Sequence, residues 1–473
     1  MTDFAPHIDR AFALDVREMS ADLTIEGTLP PVAPGTAYWN GPARFARGAV
    51  RYRNWLDGDG LVCALTLGNG HPQVTTRFVR SEKFVQEEAA GRAIFRQFGT
   101  GFAGDQLKRG IGLESPVNVS VYPYDDCLLA FGEQGLPWAL DPQTLQTRGL
   151  YTFQNQLNEI TPFSAHPKFD HHTGEMFNFG VSFSTDRPVV NLFRFDPRGT
   201  LVYRRRVPLP YPSSMHDFAL SATFAVFYVS PLVLDIVKLM QGGSTLMDAL
   251  SWEPSRGSQL LVVSRETGEV AASLPIGNKY CLHLVNAFDA PDRLIVDVVE
   301  YDRPIYDQYQ VIPSLFENVP AGIPTRLEVD VAGSRIAARR QLPYSCAPDF
   351  PAHDIELTAR AYSDFWMLGI GATGRPGRKF LNQLVRFNWD RSEVDVYQTP
   401  PEHYLGGEPL FLPTGAGGGI IVCQSFDAAR TESSFVVFNA LEISRGPIAT
   451  LRLLSPIPPL FHSSFRHTDP RVS

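Results

Sequence analysis

Glycine and proline interrupt this chain at short intervals from one end to the other, 38 of each spread almost evenly over 473 residues. That spacing leaves little room for long helices, because proline removes a backbone donor and interior glycine weakens a helix. Short β-branched and aromatic runs lie between the interruptions, among them Leu128–Phe131, Leu260–Ser264, Leu294–Val298 and Gly419–Cys423. Turn signatures recur beside such runs, at Asp141-Pro142, Asp170–Glu175, Asp196–Gly199 and Arg265–Val270. The pattern reads as strands joined by hairpins, so the expected class is all-β. Repeated hairpins over this length suit a propeller, whose radial repetition leaves only short edges, better than a single sandwich. No clean repeat period marks the blades.

Composition removes several alternatives. Hydrophobic residues make up 44% and charged ones 19%, which permits a large core and does not fit a disordered chain. The net charge is −8 and no basic run is longer than Arg204–Arg206, so the footprint for a phosphate backbone is missing and nucleic acid is excluded as a partner. Five cysteines without a paired spacing point to a reducing, cytoplasmic setting. Met1 to Glu18 lacks the basic start and apolar stretch of a secretory signal. No window reaches the roughly 20 apolar residues of a spanning helix, which leaves surface attachment to a membrane open.

One segment departs from the β rhythm. Val229 to Leu250 places Leu232, Val233, Ile236, Val237, Leu239 and Met240 at roughly helical spacing, with Asp235, Lys238 and Asp248 as its charges. It is expected to form one amphipathic helix or two short ones. The plain reading is a helix packed on the core; the sharper one is a face that dips into a bilayer and admits a lipid-soluble substrate.

Four of the eleven histidines stand among apolar or aromatic neighbours. They are His166 in Ser-Ala-His-Pro-Lys-Phe-Asp, His216 in Ser-Met-His-Asp-Phe-Ala, His283 in Leu-His-Leu-Val-Asn and His462 in Leu-Phe-His-Ser-Ser-Phe. Singly, each reads more readily as a structural histidine, and their separations match no local zinc motif. A radial fold would nonetheless bring them together if separate blades each sent one imidazole to the axis. Such a centre would have four neutral ligands, which suit iron, copper, nickel and zinc alike, and an octahedral ion there would keep two open places.

The chain resembles the carotenoid cleavage oxygenase family over nearly its whole length. That family includes apocarotenoid and carotene oxygenases, stilbene-cleaving dioxygenases and the vertebrate retinoid isomerase. The resemblance is carried by Gly27-Thr28-Leu29-Pro30, Asn40-Gly41-Pro42 and Trp55-Leu56-Asp57-Gly58-Asp59-Gly60-Leu61, then by Leu129 to Leu145, and by the four histidine contexts in the family's order. It implies a seven-bladed β-propeller, a single domain over residues 1–473 with inserted cap segments including about 229–250. A cap of loops and short helices would cover the axial metal site. It further implies one Fe(2+) per chain bound by His166, His216, His283 and His462, with O2 as co-substrate. Three carboxylates, Glu133, Asp349 and Glu408, are expected behind three of these histidines, accepting the free ring N–H and fixing the tautomer. Asp349 stands where the family usually has glutamate; one methylene shorter, it reaches its histidine only through backbone adjustment or through water.

Two departures bear on substrate. Val119 replaces the family's threonine, so a methyl group can still border an open coordination place. Gly132 stands where stilbene-cleaving members carry a lysine that recognises a phenol. The implied activity is therefore oxidative cleavage of a C=C bond in an apolar polyene, a carotenoid or apocarotenoid, to carbonyl products. Cleavage of stilbene-type alkenes or polyene isomerisation at the same centre is the alternative enzyme reading. A propeller that only binds, with structural histidines, is the reading from another class. Which bond is cut is not legible here, and neither is the oligomeric state.

Overall fold

The computed structural model describes residues 5, 7–68, 71–108, 113–183, 187–240, 243–371, 377–415 and 418–468. Seven antiparallel sheets of four or five strands form the blades of a propeller. Each blade turns one edge strand to the axis: Ser120–Tyr124, Lys168–Asp170, Ala219–Leu220, Leu284–Ala290, Asp349–Ala352, His403–Thr414 and Ser463–His467. Two blades mix strands from both ends of the chain. Thr24–Gly27 pairs with Ala449–Arg452, and Gly35–Arg44 pairs with Ser463–His467. This double seam closes the ring and hides edges that an open sheet would expose.

The four runs expected as strands lie within Cys127–Phe131, Ser258–Ser264, Arg293–Tyr301 and Gly418–Asp427. The turn signatures join paired strands, as at Val189–Phe195 with Leu201–Pro208 and Ser258–Ser264 with Val270–Gly277. At Asp141 the reason is visible: Oδ1 accepts from the amides of Gln143 and Thr144 at 3.0 and 2.8 Å, an Asx turn that reverses the chain. Position in the blade sets the polarity pattern. Outer strands such as Val270–Gly277 alternate between exposed and buried residues, whereas Cys127–Phe131 is buried throughout because neighbouring blades cover both its faces. The Arg204–Arg206 run lies exposed on the outer strand Leu201–Pro208.

The segment Val229 to Leu250 differs in part from the helical expectation. Its described residues form a short strand, Leu232–Leu234, paired with Leu250–Trp252, and two short helices, Ile236–Met240 and Leu246–Ala249; residues 241–242 lie outside the described residues. Pro231 biases Ser230 to extended backbone, the β-branched Val233 bridges to Ser213, and pairing with Leu250–Trp252 captures the apolar run as strand. The second helix begins at a capping box in which Thr245 Oγ1 accepts from the Asp248 amide at 3.2 Å.

Loops and short helices from several blades cover the face on which the inner strands begin. Beneath them Trp55, fully buried, packs its ring 4.7 Å from Phe461, 5.2 Å from Phe380 and 5.7 Å from Tyr309. This aromatic cluster fixes Phe461, and with it the backbone that carries His462 into the axis.

Candidate metal centre

His166, His216, His283 and His462 each sit just before an inner strand, of Lys168–Asp170, Ala219–Leu220, Leu284–Ala290 and Ser463–His467 respectively. The ring nitrogens they offer lie within 4.8 Å of one another, and all four residues are buried. Among the described residues no other group of histidine, cysteine and carboxylate side chains forms such a cluster.

Carboxylates stand behind three of the rings. Glu133 Oε1 is 2.9 Å from His216 Nδ1, Asp349 Oδ1 is 2.6 Å from His283 Nδ1, and Glu408 Oε2 is 3.4 Å from His462 Nδ1. Glu133 and Asp349 accept the Nδ1–H of their rings, which leaves the Nε2 lone pairs directed at the shared centre, while Glu408 faces His462 Nδ1 at the longer distance. His283 Nε2 is buried with no hydrogen-bond partner, and the Nε2 atoms of His166 and His216 stand 2.8 Å apart. Four imidazole nitrogens gathered this closely, one of them buried with no partner, are satisfied by a cation, so the donor set fits a metal ion.

For His166 and His462 the electrostatics favour the neutral ring. Burial and the neighbouring imidazoles hold His166 well below the ordinary histidine range, which keeps it neutral and able to donate its lone pair. Burial also lowers His462, against the opposing pull of Glu408. For His283 burial again favours the neutral ring, but the charge and hydrogen bond of Asp349 prevail and raise it. Asp349 is buried, which pushes its carboxyl up, yet the His283 attraction and the Phe350 amide bring it below the usual carboxylate range.

The shorter Asp349 makes its contact directly, through the backbone. Ala347 and Phe350 adopt left-handed φ values of 47° and 56°, and the register of Asp349–Ala352 shifts against its neighbouring strand. Its second oxygen, Oδ2, accepts from the Tyr309 hydroxyl at 3.1 Å. Val119 is buried near the fourth histidine, its carbonyl accepting from the His462 amide at 3.3 Å.

Sequence reading overlooked Asp217. Its Oδ1 lies 3.9 Å from His166 Nδ1 and 2.7 Å from Lys168 Nζ, and its Oδ2 accepts from the Leu284 amide at 2.9 Å. The signal was present, since Asp217 adjoins His216 and Lys168 belongs to the His166 context.

The centre separates two cavities. One, about 550 Å³, runs along the axis and is lined by His166, His283 and His462 together with Lys168, Asp170, Asp217 and Glu408. The other, about 410 Å³, lies under the cap and is lined by Leu56, Phe98, Val119, Phe183 and Leu239, and by Glu133 beside the centre. The axial cavity is the larger and touches the rings, but its charged walls suit water. The cap cavity has the apolar lining of a site for an apolar ligand.

A family model described as retinal pigment epithelial membrane protein matches residues 13–467. The chain is 29% identical to the apocarotenoid-15,15'-oxygenase of Synechocystis over 94% of its own length and 92% of that protein. It is 33% identical to resveratrol cleavage oxygenase 1 of Aspergillus fumigatus, over 92% and 90%. Among solved structures, a Synechocystis ACO variant superposes with a TM-score of 0.89 at 26% identity, covering 98% of this chain and 99% of that one. A cobalt-substituted Synechocystis ACO gives 0.88 at 25%, covering 99% and 100%.

Proposed function

Because this chain belongs to the retinal pigment epithelial membrane protein family, that of the carotenoid cleavage oxygenases, we propose that it is a non-haem iron dioxygenase. It cleaves a carbon–carbon double bond of a carotenoid or apocarotenoid with O2 and releases carbonyl products. The observation that carries this reading is the cluster of four buried imidazoles beside an apolar cavity.

In this reading His166, His216, His283 and His462 hold one Fe(2+), and Glu133, Asp349 and Glu408 fix the rings that face it. Bound Fe(2+) supplies the reactivity toward dioxygen that a closed-shell alkene lacks. The chain's own share is geometric. The cap cavity strips water from an extended apolar chain and lays one double bond beside the centre. Val119 crowds one side of the open coordination places with a methyl group and brings no hydroxyl. Residues 1–473 act as one propeller domain, with the cap segments inserted between strands.

A second reading keeps the centre and changes the alkene. Relatives named for resveratrol and lignostilbene cleavage and for carotenoid isomerooxygenation share this length of chain. Gly132 disfavours the phenolic version that depends on a lysine at that position.

Contact with a membrane or micelle belongs to the same proposal. No helix among the described residues is long and apolar enough to cross a bilayer. Ile160, Val237 and Met240 are exposed at 72%, 59% and 53%, beside Ile236 and Leu239, which line the cap cavity. An apolar rim at the mouth shortens the path of a substrate that is almost insoluble in water.

The test is to incubate the purified, Fe(2+)-loaded protein with carotenoids, apocarotenals and stilbenes and to identify products by mass. Paired carbonyl fragments from a carotenoid or apocarotenoid are the expected result. Isomers without fragments, or fragments from stilbenes alone, would replace it with the second reading.

A further inference from the structure

One wall of the cap cavity carries a carboxylate that the metal centre does not use. Glu114 is among the residues that line this apolar space, and its side chain is 5% exposed. Lys108 Nζ lies 3.0 Å from both carboxylate oxygens, but its side chain is 32% exposed and so approaches from the solvent side. The Ser115 amide supplies a further contact. An ionised carboxylate offers about four acceptor sites, so Lys108 and one amide leave capacity toward the cavity. Burial pushes the Glu114 carboxyl up, a sign that this partner set does not offset its loss of water.

The segment that holds Glu114 is fixed relative to the metal centre. A Cβ at Gly132 would stand 1.8 Å from Ser115 Oγ, so Ser115 fills the space beside the backbone that leads to Glu133. The same Oγ accepts from the Val117 amide at 3.1 Å, and the Pro116 carbonyl accepts from the Gly60 amide at 2.9 Å. Glu114 therefore sits at a set distance from the carboxylate that orients His216. A substrate gripped there is held in register with the centre.

We propose that Glu114 recognises a hydroxyl group on the substrate, so that the enzyme's natural alkenes are hydroxylated apolar chains and not plain hydrocarbons. This rests on the cleavage reading above. The hydroxyl donates its proton to the carboxylate in a charge-assisted hydrogen bond, while the rest of the molecule packs against the apolar wall. A deoxy or methoxy analogue has no proton to give and would leave the buried acceptor unpaired, which is why such sites discriminate strongly.

The experiment compares matched alkenes that differ only in that group: 4-hydroxystilbene against 4-methoxystilbene, and a ring-hydroxylated apocarotenal against its deoxy form. The first pair tests a phenol and the second an alcohol. Wild-type holoenzyme should favour the hydroxylated member of at least one pair by roughly 10- to 100-fold in kcat/KM, the range for a lost hydrogen bond to a charged group. In Glu114→Leu that ratio should fall to near unity, and Glu114→Gln should lie between. Iron content and melting temperature of each variant are measured alongside. Equilibrium binding of the same pairs, read from the absorbance shift of the bound alkene, reports the preference even if no member is cleaved. It thereby separates failure of this inference from failure of the cleavage reading. Equal handling of both members in both pairs by wild type, or a preference that survives in folded Glu114→Leu, overturns the proposal.

Discussion

His283 Nδ1 stands 2.6 Å from Asp349 Oδ1, a direct contact made by a side chain one methylene shorter than the other two carboxylates behind the centre. Both Asp349 oxygens are engaged, Oδ1 also by the Phe350 amide at 2.9 Å and Oδ2 by Tyr309. The left-handed backbone at Phe350 has moved the strand to meet the ring. Asp349→Glu should therefore be costly despite conserving charge, because the added methylene has no room between strand and imidazole. The expected loss in iron affinity or activity is roughly 10-fold or more, within the usual range for a partner of a metal ligand. Wild-type iron content and turnover in this variant would show that the backbone relaxes freely.

Alanine at His166, His216, His283 or His462 should abolish stoichiometric iron, since each removes one of four neutral donors from a centre with no carboxylate ligand. Metal analysis of the purified variants by plasma mass spectrometry checks this. A variant that kept one iron per chain would remove that histidine from the ligand set.

The two glutamates should not be equal. Glu133 meets His216 at 2.9 Å, whereas Glu408 lies 3.4 Å from His462 and also accepts from the Ser463 amide at 2.9 Å. Glu133→Gln should lower metal affinity or activity by roughly 10- to 100-fold, and Glu408→Gln by less. Competition with a chelator ranks them, and the reverse order would break the link between contact distance and effect.

His353 lines the axial cavity, and burial, helped by the charges of Lys168 and His171, pushes its imidazole down to about 3. The unfolded chain, with an ordinary histidine near 6.5, binds a proton that the folded chain refuses. Stability from this residue is therefore present above that value and is lost as pH falls below it. The wild-type melting temperature should drop more steeply than that of His353→Gln between pH 7.5 and 5. Parallel curves would mean that His353 is protonated as easily folded as unfolded.

Val237→Asp and Met240→Asp should weaken liposome binding and slow turnover of a long, insoluble substrate more than of a short, soluble one. Both side chains are already exposed, so folding should be spared. Leu232 and Leu239, at 4% exposure, are core residues and would not make this test. Unaltered liposome binding in both variants would return the rim to ordinary surface.

The sequence by itself determined the class of fold, because turn chemistry and short β runs are local signals. Asp141 and its Asx turn needed no distant residue to be read. The four histidine contexts were also legible from their apolar neighbours, and Glu133, Asp349 and Glu408 were named through the resemblance. Local periodicity misled at Leu232–Leu234, where pairing with Leu250–Trp252 and a bridge to Ser213 overrode the helical spacing. The tertiary structure alone decided the contacts that depend on ring closure. Asp217 beside His166 joins different blades, and Glu114 faces the cap cavity, wedged by Ser115 against Gly132. A charged residue in sequence carries no mark of whether water or an apolar wall will surround it. That is fixed only when separate blades converge, and desolvation by those neighbours then sets what its charge can do.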